Sequence, residues 1–250
     1  MIAILACCMV CYPRCHAPVY VSSLVFISEI QYNYCIMEKK RISLNQFRKT
    51  FLPMGCFSGE QVRLWKPDFN RDNFARWVAS GDILRLRRNL YTLPEFLQIP
   101  DSALYFANQI YQPSYVSLHT ALHIHGVIPE EVVQFISVST LKTASFSNAF
   151  GSYTYHHISV KYMFGYELKK MEGQIPLVIK IASPEKAIID LLHLYPEYNT
   201  AEDLLNLRLD EDYMESELNL KKMRDYVNQI QSPALTKRVN LLWEAYGLYD

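Results

Sequence analysis

Apolar and polar positions change period several times along the chain, and each change marks an element. From Ile42 to Leu52 the residues Leu44, Phe47, Phe51 and Leu52 recur at helical spacing behind a Ser43 cap, until Pro53 and Gly55 end the run. Ser58 then caps a short helix carrying Val62, Leu64 and Trp65, which Pro67 closes. A third helix is expected from Asn70 to Ser80. Asn70 serves as its N-cap, and Phe69 staples onto Phe74. Phe74, Trp77 and Val78 make its buried stripe, which leaves Arg71, Asp72, Asn73, Arg76 and Ser80 toward the flanks and outer face. Gly81 stops this helix. Ile83 to Leu86 follow as a strand, Arg87, Arg88 and Asn89 as a turn, and Leu90 to Leu93 as the return. Asn89 stands where a left-handed residue is needed, a conformation that Asn tolerates. Three helices and a tight hairpin are the order of a winged helix-turn-helix, expected over residues 37–93.

Residues 94–100 read as a linker, and residues 101–250 as a second domain of α+β type. In it, Ser102–Tyr111 and a helix capped by Ser117 and ended by Gly126 precede a strand over Val132–Thr140. Ala144–Ile158 reads as a hairpin through Gly151, with Phe150, Tyr153 and Tyr155 as candidate cross-strand aromatics. Two more strands, Met163–Leu168 and Ile175–Ile181, are joined across Glu172 and Gly173. Ser183-Pro184-Glu185 then opens a helix in the favoured order of cap, proline and acid, with Ala187, Ile188, Leu191 and Leu192 inward. From Ala201 onward the pattern is helical, and Pro233 sets off the final helix. The expected fold is therefore α+β: an N-terminal winged helix-turn-helix, then a small, mostly antiparallel sheet with helices before and after it and a helical tail.

Charge sharpens the division. The 250 residues carry 25 Lys and Arg against 25 Asp and Glu, a net charge of zero. From Met37 to Leu93 there are twelve basic residues against five acidic, whereas from Pro94 onward there are twelve against nineteen. A basic segment followed by an acidic one points to a nucleic-acid module joined to a different kind of domain. On that reading Arg71, Asn73 and Arg76 on the third helix reach into a major groove, and Arg85, Arg87 and Arg88 on the wing meet the flanking backbone or enter the minor groove. The rival reading of the same surface is a winged helix that docks a protein. The run Asp210, Glu211, Asp212, Glu215 and Glu217 is the candidate patch for a protein partner.

The first 36 residues differ from the rest, holding Cys7, Cys8, Cys11, Cys15 and Cys35, five of the six cysteines. Leu5-Ala6-Cys7 lacks a preceding Lys or Arg and a long enough apolar run for a signal peptide. The spacing of Cys8, Cys11, Cys15 and His16 matches no standard zinc pattern. Ile2–Val10 and Val19–Ile27 are too short to span a membrane. Residues 1–36 are expected to be a poorly packed leader or a start-site artefact, with translation beginning at Met37, and the body to be cytoplasmic and reduced.

Catalytic signatures are missing from the sequence. His119 and His123 share a helical face and His125 lies near, but no acid stands beside them in the metalloprotease pattern. Ser183 has no evident base, Glu185-Lys186 lacks the spacing of a nuclease motif, and no glycine-rich phosphate loop occurs. No enzyme, metal or cofactor is expected.

Three blocks carry a likeness to a known family: LRLRRNLYTL (84–93), PSYVSLHTALHIHGVIPE (113–130) and FGYELKKMEGQIPLVIKIASPEKAIIDLLHL (164–194), with FGSYTYHHI (150–158) between them. Over about Ile42 to Leu194 the chain resembles the AbiEi-type antitoxins of type IV toxin–antitoxin systems. Asn89 takes the place where that family usually has glycine after the paired wing arginines. The resemblance implies a winged-helix domain that represses its own operon by binding the operator DNA upstream of its gene. It also implies a C-terminal domain that counters a nucleotidyltransferase-like toxin, with no membrane partner.

Overall fold

The structure is a computed structural model, and it describes residues 43–130, 133–171 and 175–248. The leader cysteines, His16 and the expected start at Met37 lie outside these described residues.

Helix α1 (Leu44–Phe51) buries Phe47 and Phe51. After a 3₁₀ turn, β1 (Cys56–Ser58) leads into α2 (Gly59–Trp65). Ser58 and Gln61 close a capping box there, each side chain taking or meeting the other's backbone N–H. Val62 is buried in α2, but Leu64 is 84% exposed. Helix α3 (Asp72–Ala79) starts one residue later than the cap at Asn70 predicts, with Arg71 at the N-cap position. Asn70 still performs part of that role, since its Oδ1 accepts from the Asp72 N–H at 2.9 Å. The Phe69–Phe74 staple is present, with ring centroids 4.9 Å apart.

Strands β2 (Leu84–Arg87) and β3 (Leu90–Thr92) form the hairpin, and Asn89 holds its turn at φ 61°. Strand β1 adds to the far side of β3, so the sheet runs β1-β3-β2 and is antiparallel throughout. Phe47 sits at the centre of this half. Its ring lies 4.6 Å from Phe51, 4.9 Å from Trp77 and 5.1 Å from Phe57. Aromatic pairs in edge and offset contact stabilise by about 0.5–1.5 kcal/mol each beyond the area they bury.

Residues 94–100, expected as a linker, contain a 3₁₀ turn (Pro94–Gln98) whose Phe96 is fully buried with its ring 5.7 Å from Phe106. Helix α4 (Ser102–Ile110) and β4 (Ser114–Val116) come next, followed by α5 (Leu118–Ile124) and β5 (Phe135–Ser139). The hairpin expected through Gly151 is present as β6 (Ala144–Asn148) and β7 (Gly151–His157). Strands β8 (Tyr166–Lys170) and β9 (Val178–Ala182) pair antiparallel, and α6 (Pro184–Leu194) begins at the expected Ser183 cap.

The sheet these strands make is larger than the small, mostly antiparallel one expected. It has six strands in the order β6-β7-β5-β4-β9-β8, and the β5–β7 and β4–β9 pairs are parallel. Strand β4 is the reason. Its three buried residues insert between β5 and β9 and join the β6-β7-β5 group to the β8–β9 hairpin in one mixed sheet. Helices α7 (Ala201–Leu205), α8 (Glu211–Ser216), α9 (Leu220–Ile230) and α10 (Pro233–Ala245) complete an α+β architecture. Contacts divide the chain at Ser43, and Leu44–Asp250 forms one unit. Gly55 marks how closely its halves approach. A Cβ there would stand 2.7 Å from the Tyr105 ring and 2.9 Å from Leu177. Among the described residues no helix is long and apolar enough to cross a membrane.

Candidate nucleic-acid interface

Helix α3 turns its apolar stripe inward and its arginines out. Phe74 and Trp77 are buried, while Arg71, Arg76 and Ser80 are exposed. The helix is set against the hairpin by one aromatic stack: the Phe74 and Tyr91 rings lie 4.8 Å apart and only 3° from parallel. Arg71, Ala75 and Val78 on the helix line a single cleft with Arg85 and Asn89 on the hairpin. Two of the predicted arginines, Arg71 and Arg85, thereby line the same cleft.

Asn73 and Arg76 act as a unit, the Arg76 Nη2 donating to the Asn73 Oδ1 at 2.7 Å. That bond holds the guanidinium along the helix and leaves the Asn73 amide group as a free donor. Arg71, Arg85 and Arg88 are exposed and have no hydrogen-bond or ion-pair partner among the described residues. Arg87 is engaged differently. Its Nη1 donates to the Ile110 carbonyl at 2.6 Å. Arg85, Arg87 and Arg88 also line a second cleft with Phe146 and Ser147 of β6. A register shift between Arg85 and Arg87 puts a bulge at Leu86, which is buried, whereas the residues on either side of it are exposed.

The turn is anchored by a residue that the sequence offered only as a tolerated left-handed position. The Asn89 Oδ1 accepts from the Gly59 N–H at 3.2 Å, and its Nδ2 donates to the Glu60 carboxylate. The Asn89 bond is the chief cause that holds the Glu60 carboxyl below its ordinary range. The other half of the chain anchors the hairpin as well. The Asn148 Nδ2 donates to the Leu86 carbonyl at 3.2 Å, a contact across 62 residues that no local pattern signals.

The remaining sequence candidates lie apart from this surface. Asp210 caps α8, accepting from the Tyr213 N–H at 2.8 Å, and Glu211, Asp212, Glu215 and Glu217 are exposed along and after that helix. None of the five forms an ion pair among the described residues. His119 and His156 both stand against the Tyr195 ring, at 6.2 and 5.9 Å, and burial pulls both imidazoles below their ordinary pKa. The His125 Nε2 lies 2.8 Å from the Ala182 carbonyl. Among the described residues no three His, Cys, Asp or Glu come close enough to hold a metal.

What the α3–hairpin surface offers chemically is a set of exposed guanidinium groups on two elements that the Phe74–Tyr91 stack and the Asn89 turn hold in place. Such groups suit polyanions, since a planar guanidinium meets a phosphate through two parallel hydrogen bonds. Neither the models of known protein families nor the curated proteins compared with this chain give a match.

Proposed function

We propose that residues 44–93 form a winged helix-turn-helix and that the protein is an autorepressor that binds the operator DNA upstream of its own gene. The observation that carries this reading is the cleft lined by both Arg71 at the start of α3 and Arg85 of the hairpin, each exposed. In the proposed complex α3 lies in a major groove, where Asn73 and Arg76 reach base edges and Arg71 meets the backbone. The hairpin is the wing, with Arg85 and Arg88 on flanking phosphates.

The test is fluorescence anisotropy of the protein with the duplex upstream of its gene, across a salt series. Neutralising about five phosphates gives a slope of log affinity against log salt of roughly −4 to −5. Arg76→Ala weakens binding, while an unrelated duplex binds less tightly than the operator. Flat or absent binding overturns the reading in favour of a winged helix that docks a protein.

We further infer that the second half acts as an antitoxin against a nucleotidyltransferase-like toxin. The support here is the resemblance of the 113–130 and 164–194 blocks to the AbiEi-type antitoxins. Asp210, Glu211, Asp212, Glu215 and Glu217 are the surface offered for a basic partner. Co-expression with the neighbouring gene product tests it: the full chain restores growth under a toxic neighbour, and no rescue overturns the assignment.

A further inference from the structure

The three wing arginines are not equivalent. The Arg87 guanidinium points away from the α3 cleft and into the seam between the hairpin and the rest of the body. Its Nη1 donates to the carbonyl of Ile110, the last residue of α4. A terminal helix carbonyl has no partner within its own helix and carries part of the negative end of the helix dipole, so a cation there meets a ready acceptor. The guanidinium also stands 5.1 Å from the Phe146 ring centroid and 5.6 Å from that of Tyr111, both within the range of cation–π attraction. One residue earlier the Leu86 carbonyl is held by Asn148. Two adjacent wing residues are thereby tied to α4 and β6, whereas Arg85 and Arg88 have no such tie.

We propose that Arg87 is a positioning residue and not a phosphate contact: it bolts the wing to the C-terminal end of α4 and to β6, and so fixes where Arg85 and Arg88 stand. The proposal rests on the DNA-binding reading for its consequence, but the bolt itself has a test without DNA.

Two measurements separate the outcomes. In the anisotropy salt series, Arg85→Ala and Arg88→Ala each remove one phosphate contact and flatten the slope by about 0.9. Arg87→Ala lowers affinity about tenfold with the slope unchanged, a displaced wing costing about as much as one good contact. Arg87→Lys does not restore it, because an ammonium lacks the flat face and fork that the two rings and the carbonyl engage. A slope that flattens by about 0.9 in Arg87→Ala, with Arg87→Lys recovering most of the affinity, makes Arg87 a phosphate contact and overturns the proposal. The second measurement is a double-mutant cycle of Arg87→Ala with Phe146→Leu, read as urea midpoints of the full chain without DNA. The double variant is expected to shift less than the two single shifts together. Additive shifts overturn the bolt whatever the DNA result. If the wild-type protein binds no duplex, the DNA reading falls and the cycle alone decides on Arg87.

Discussion

Lys186 and Asp190 form an ion pair one turn apart on α6, with their side chains 0% and 2% exposed. The pair is not isolated. The Tyr115 hydroxyl and the Ser117 hydroxyl each donate to the other Asp190 oxygen at 2.8 Å, so the carboxylate ties α6 to the strand that merges the sheet. Burial and the nearby Asp190 carboxylate push the Tyr115 phenol far above its ordinary pKa, so it remains a donor. The Lys186 ammonium rests over the rings of Phe164 and Tyr115, and its stem fills the space above Gly165, where a Cβ would come within 2.9 Å.

Removing one partner of such a pair leaves a buried charge without compensation. Asp190→Ala is therefore expected to destabilise the protein by about 3–5 kcal/mol in urea unfolding. Lys186→Met costs less, because the carboxylate keeps its two hydroxyl donors. The double variant Lys186→Met, Asp190→Leu is expected to be more stable than Asp190→Ala alone, since no orphaned charge remains. Equal losses for all three variants would contradict the account of the pair as mutual compensation.

Cys56 gives a second expectation. Burial raises its thiol to about 11, against a weaker lowering by the Tyr105 hydroxyl 4.0 Å away. At pH 8 it is protonated and shielded, so iodoacetamide should leave it unmodified in the native protein and label it in urea, as read by peptide mass spectrometry. The sign on stability follows. A folded pKa above the unfolded value favours folding below about pH 8.5, and that contribution is lost as pH rises toward 11. Rapid labelling of Cys56 in the native state would contradict its packing.

The histidines act at the other end of the pH scale. Burial lowers His119, His156 and His193 below the ordinary imidazole range, although Glu130 opposes this at His119 and Asp190 at His193. Each is held neutral in the folded state, so its contribution is present above about pH 6.5 and disappears as pH falls. Urea midpoints should decline between pH 7 and pH 5, and His193→Gln should reduce that decline. An identical pH profile for the variant would remove His193 from the account.

Much of this architecture was legible from local pattern. The α3 stripe, the Asn89 turn, the 144–158 hairpin and the Ser183 cap each follow from a few adjacent residues whose chemistry fixes one conformation. What escaped was non-local. Ser114–Val116 is three residues long, too short for any periodicity, yet it decides the sheet. Ser117 stands at the start of α5 as expected but caps nothing there, because Asp190 claims its hydroxyl from 73 residues away. The candidate arginines were readable as a cluster. Their separate environments were not, since the partners of Arg87 lie on α4 and β6.

Asn89 is the place where local and non-local effects meet, and it can be taken apart by substitution. Its backbone requires positive φ, and its carboxamide bridges the wing turn to Gly59 and Glu60 at the start of α2. Asn89→Gly relieves the backbone and deletes the bridge; Asn89→Ala deletes the bridge and keeps a Cβ at positive φ, which costs about 1 kcal/mol relative to glycine. Asn89→Ala should thus be the less stable of the two by about that amount, and under the proposed DNA-binding function both should bind the upstream duplex less tightly than wild type if the bridge orients the hairpin. Gly59→Ala provides an independent route to the same defect, since its new Cβ would meet the Asn89 Oδ1 at 2.6 Å and force the carboxamide away while leaving the turn residue itself intact. Wing orientation by this bridge is ruled out if Gly59→Ala and Asn89→Gly both retain wild-type affinity and the wild-type salt slope. Parallel losses in the two variants, with Asn89 unchanged in one of them, assign the effect to the bridge and not to the backbone of the turn.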